Sequence, residues 1–72
     1  MKEYDVVRVV HLNRTDRQFD GSVNVKRAPT IGDSGTIVYV LSPGESFIVE
    51  SVDIGGYTVW LAEFTADELE EA

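Results

Sequence analysis

At 72 residues the chain has room for one domain, spanning 1–72, and a chain of this size buries only roughly 60% of its unfolded surface. It has no cysteine and a single histidine, His11, which excludes disulfides, thiolate zinc sites and a metal centre built from histidines. The net charge is −7; residues 1–12 lack the apolar run of a signal peptide, no stretch approaches the roughly 20 apolar residues of a membrane-spanning helix, and a cytoplasmic protein is expected.

The distribution of charge is more informative than its sum. All six basic residues lie at or before Arg27, and eight of the thirteen acidic residues lie from Glu45 onward. A nucleic acid requires a positive footprint that releases counterions from phosphate, so this balance argues against nucleic acid; an acidic surface keeps a small domain monomeric and soluble, or offers a face to a basic protein partner.

Taken in chain order, the pattern is that of a small β protein. Asp5–Val10 is rich in valine and predicts a first strand over 4–11. Residues 12–34 show no periodicity, and connections of that length in compact domains carry function or disorder. Within this excursion Arg14, Arg17, Lys26 and Arg27 supply a basic cluster suited to the acidic half of the chain or to an acidic protein, and Phe19 is expected to anchor it. At Ile31–Val38 two glycines flank Asp33 and Ser34 ahead of a β-branched run. This suits a tight turn entering a strand over 35–41 whose backbone lies close to a neighbouring strand.

Ser42-Pro43-Gly44-Glu45 is a turn signature, followed by a third strand over 47–52. Asp53-Ile54-Gly55-Gly56 then links it as a hairpin to a fourth strand over 57–62. Alternation places Phe47 and Val49 on the inner face of the third strand, and Val59 and Leu61 on the inner face of the fourth. Ile48, Val52, Tyr57 and Trp60 then face outward or towards a second layer. Thr65-Ala66-Asp67-Glu68 matches a capping box and predicts a short helical turn, with Leu69 folding back onto the core and a weakly signalled final strand.

The pieces D-V-V-R-V-V at 5–10, G-D-S-G-T-I-V at 32–38, F-I-V-E at 47–50 and G-Y-T-V-W-L at 56–61 together resemble a bacterial family of small SH3-like β-barrel proteins of uncharacterised function. The Gly-Asp-x-Gly step is also similar to KOW-type barrels. The resemblance covers most of the chain outside 12–30. It implies an all-β, SH3-like barrel of four to five antiparallel strands, with a long loop after the first strand and a short C-terminal helical turn. In such barrels the long loop flanks peptide grooves lined by aromatic residues.

No pattern of catalytic chemistry stands out. Glu63, Asp67, Glu68 and Glu70 are carboxylates without a nucleophile or base beside them and are expected to form a solvated face. The glycines precede strands, with no lysine among them, so they form no phosphate cradle. No catalytic residue, cofactor or metal is expected. The expected function is a non-enzymatic protein-interaction module that binds a basic or extended protein partner. Trp60, Tyr39, Tyr57, Arg14, Arg17 and Phe19 are its candidate contact residues, with Trp60 first among them. The alternatives are a KOW-like accessory that binds RNA or ribosomal protein, and a small acidic immunity or antitoxin-type protein. The unstapled core and surplus aromatics leave room for a homodimer.

Overall fold

The computed structural model describes residues 1–13 and 26–72, and these build an all-β protein. Strand β1 covers Val6–Val9, β2 Ser34–Ser42, β3 Ser46–Val52 and β4 Thr58–Thr65. A 3₁₀ turn at Ala66–Glu68 leads into β5, Leu69–Glu71. All pairings are antiparallel, in the order β4-β3-β2-β1-β5, and the ladder is open, with β4 and β5 as its edges.

β2 holds the sheet together. Its first residues pair with β1 and the rest with β3, and Thr36 faces Val6 on one side and Glu50 on the other. Two register shifts interrupt the β2–β3 ladder, between Ile37 and Tyr39 and between Val40 and Ser42. Bulges of this kind increase local twist and let a strand serve two neighbours in turn. The expected close approach occurs at Gly35: a Cβ there would lie 2.7 Å from Val49 Cγ1 and 2.8 Å from the Glu50 carbonyl oxygen. Just upstream, the Thr30–Asp33 turn is closed by the Asp33 N–H donating to the Thr30 carbonyl, and Gly32 takes φ +98°.

The core is one cluster on the inner face: Val7 and Val9 from β1, Ile37 from β2, Phe47 and Val49 from β3, Trp60, Ala62 and Phe64 from β4, and Leu69 from β5. β1 is shorter than expected. Tyr4 takes a positive φ in a turn before it, and beyond it the Val10 and His11 N–H groups donate to the Glu68 carbonyl instead of continuing the ladder.

The inner face of β4 is the reverse of the expected one. The pairings Phe47 with Phe64, Val49 with Ala62 and Ser51 with Trp60 put Trp60, Ala62 and Phe64 inside, and leave Val59 and Leu61 half-buried. β4 alternates between two apolar sets, so its own residues do not choose between them. The choice is made by Phe64, which extends the strand past Ala62 and must pack opposite Phe47. Trp60 is accordingly 0% exposed, its ring 5.3 Å from that of Phe64.

The C-terminal turn forms as its capping box predicts, with the Glu68 carboxylate accepting the Thr65 N–H at 2.9 Å. The expectation of a solvated tail fails at Glu68, which is 1% exposed. Its carboxylate also accepts the Asn13 N–H at 2.7 Å, joining the end of the first strand's extension to the C-terminal turn.

Candidate functional site

Side chains of β2, β3 and β4 that do not enter the core alternate onto the outward face. Register aligns them in two rows across the strands: Val6, Thr36, Glu50 and Leu61 in one, and Tyr39, Ile48 and Glu63 in the other. Tyr39 is 55% exposed, while Ile48 and Leu61 are half-buried by their neighbours. Glu50 accepts the Thr58 hydroxyl at 2.6 Å, which orients its carboxylate on this face. The result is a surface on which an aromatic ring and two aliphatic side chains stand beside carboxylates.

A second exposed apolar group sits at the tip of the β3–β4 hairpin, where Ile54 and Tyr57 project into solvent. Asp53 fixes the tip. Its Oδ1 accepts the Gly55 N–H at 2.9 Å and the Tyr57 N–H at 3.0 Å, and Gly56 takes φ +85°. Lys26 binds the same carboxylate and lies 5.7 Å from the Tyr57 ring centroid. The lysine and the backbone donors hold the Asp53 carboxyl below its usual range.

Asp33 is the centre of a polar hub that residue patterns alone do not single out. The Asp33 carboxylate accepts two bonds from the Arg27 guanidinium, at 2.7 and 3.1 Å, the Thr30 N–H at 2.9 Å, and the Trp60 indole N–H at 2.9 Å. Burial by itself would push this carboxyl up, but the four donors outweigh it and hold the group well below the usual carboxylate range. Asp33 in turn raises the Arg27 guanidinium. The available signal was a tryptophan whose indole N–H needs an acceptor when buried, together with an aspartate on a glycine turn.

Of the six candidate contact residues, the structure places Tyr39 on the outward face and Tyr57 at the hairpin tip. Trp60 is removed from the candidate surface, because both its ring and its N–H are used inside the fold. Arg14, Arg17 and Phe19 lie outside the described residues. Lys26 and Arg27, from the same basic cluster, pair with Asp53 and Asp33. Among the described residues no group of three or more His, Asp or Glu side chains could hold a metal ion, and no helix is long and apolar enough to cross a membrane. Comparison with protein-family models, curated proteins and solved structures finds no match to this chain.

Proposed function

We propose that this protein is a non-enzymatic protein-interaction module whose working surface is its exposed aromatic and aliphatic side chains. One observation carries the reading: among the described residues nine side chains form the buried core, and Tyr39, on a strand paired with β3, and Ile54 and Tyr57, on a hairpin tip fixed by Asp53, remain exposed. Exposed rings on a rigid frame lose little conformational entropy when a partner covers them, which is why tyrosine serves so often at interfaces. We further propose that the sheet is an SH3-like barrel left open between β4 and β5. The strand order, the long connection after β1 and the 3₁₀ turn before the last strand support that reading.

The KOW-like reading, in which RNA is the partner, is weakened by the use of Lys26 and Arg27 in internal ion pairs. The immunity-type reading draws on the acidic second half of the chain, and it predicts a protein partner as well.

The test is capture of partners from a lysate of the native host, read by mass spectrometry. The double variant Tyr39→Ala/Tyr57→Ala, which spares the core, should lose most proteins that the wild type retains. An unchanged set of captured proteins would reject the reading.

A further inference from the structure

We infer that residues 26–33 form a strap that runs from β4 to β1 outside the sheet ladder and fastens and releases as one unit, with the Asp33 carboxylate as its fastening.

β4 and β1 are not neighbours in the ladder, since β3 and β2 lie between them. The strap joins them directly. At one end the Lys26 and Arg27 N–H groups donate to the Val59 carbonyl of β4, at 2.8 and 3.2 Å. At the other the Gly32 N–H donates to the Val9 carbonyl of β1, and the Val9 N–H to the Asp33 carbonyl, both at 2.8 Å. The Lys26 ammonium also reaches Asp53 on the β3–β4 hairpin.

One oxygen holds the middle. Asp33 Oδ2 accepts from the Arg27 guanidinium at 2.7 Å, the Thr30 N–H at 2.9 Å and the Trp60 indole N–H at 2.9 Å. The start of the strap, its turn and β4 therefore share a single acceptor. Bonds that meet at one charged atom are coupled, so the loss of one weakens the rest.

The strap has little apolar support. Pro29 is its one buried residue, Ile31 is exposed, and the buried core cluster draws on β1–β5. A segment with few buried apolar contacts belongs to the low-stability end of a fold and opens while the sheet stays formed. Its release takes from the Val59 carbonyl and the Trp60 indole N–H the partners that the strap supplies, so the strap controls access to this part of β4.

The test is native-state hydrogen exchange of the full chain, read by NMR at low urea concentrations. The Lys26 and Gly32 N–H groups and the Trp60 indole N–H should exchange with one shared opening free energy. Their urea dependence should be weaker than that of the N–H groups in the β2–β3 ladder. Arg27→Ala should speed all three by one common factor of about tenfold or more, although neither the Gly32 N–H nor the indole bonds to Arg27. Asp33→Asn should speed the Lys26 and Gly32 N–H groups by a similar factor, although neither bonds to its side chain. Phe47→Leu, a core change on β3, should speed the β2–β3 ladder and leave the three strap protons within about twofold of wild type. A Gly32 N–H or an indole N–H unmoved by Arg27→Ala would overturn the assignment. So would strap protons that follow the β2–β3 ladder in Phe47→Leu.

Discussion

Asp33 joins three parts of the chain through one carboxylate: the guanidinium of Arg27, the turn N–H of Thr30 and the indole N–H of Trp60 on β4. Hydrogen bonds to a charged group contribute about 1.5–3 kcal/mol each in favourable cases, and an orphaned buried donor costs about 1–3 kcal/mol. Because its folded-state pKa lies below the unfolded value of about 3.9, the native state binds fewer protons than the unfolded state at low pH. The stabilisation it supplies is therefore complete above the unfolded pKa and lost as pH falls toward the folded one. Asp33→Asn is expected to lower neutral-pH stability by about 2 kcal/mol and to flatten the dependence of the urea midpoint on pH between about 5 and 2. Urea titrations followed by Trp60 fluorescence measure both; equal acid slopes in the two proteins would contradict this account. The sequence showed an aspartate between glycines and a tryptophan on a strand. It did not show that one would accept from the other, since 27 residues separate them and only the sheet brings them together.

At the scale of elements, the G-D-S-G step combines two different requirements. Gly32 meets a positive φ in open space, whereas Gly35 meets a steric limit, with the Glu50 carbonyl oxygen and Val49 Cγ1 under 3 Å from where a Cβ would sit. A backbone atom cannot rotate away, so Gly35→Ala must move β2 away from β3. Overpacking of this kind costs about 1–3 kcal/mol. A drop in thermal midpoint on that scale is expected for Gly35→Ala, and a midpoint matching wild type would show that the ladder can yield. Strands β2 and β3, the Pro43-Gly44 turn and the capping box at Thr65–Glu68 were legible because each has a local cause in residue chemistry. The inner face of β4 was not. Val59 and Leu61 compete with Trp60 and Ala62 on equal local terms, and the decision lies in the long-range pairing of Phe64 with Phe47. The same holds for Glu68. A capping residue ordinarily faces solvent, and here the arrival of Asn13 and the main chain of Val10 and His11 covers it.

For the molecule as a whole, −7 charges on 72 residues set up repulsion that opposes the compact state. The intramolecular ion pairs Lys26–Asp53 and Arg27–Asp33 relieve it at two places, and the first of them ties the basic cluster to the acidic half. Salt screens diffuse repulsion over about 10 Å at 0.1 M, while close and partly buried pairs are screened less. The thermal midpoint is therefore expected to rise between 20 and 200 mM sodium chloride, as calorimetry would record. A falling midpoint would mean that the ion pairs outweigh the net repulsion.

The sequence by itself determined an all-β chain, its turns, most of its strands, the C-terminal cap and the asymmetry of its charge, because these follow from side-chain branching, glycine and proline geometry and simple addition. Only the tertiary structure decided which face of β4 is inside, that Trp60 is a core residue bound to Asp33, that Glu68 is buried, and that Tyr39 shares an outward face with Ile48, Leu61 and Glu50. The burial of Glu68 depends on the arrival of Asn13 from a distant part of the chain, and the others depend on strand register. Register is fixed by contacts between residues far apart in the chain, and a one-residue change in it exchanges the inside of a strand for its outside.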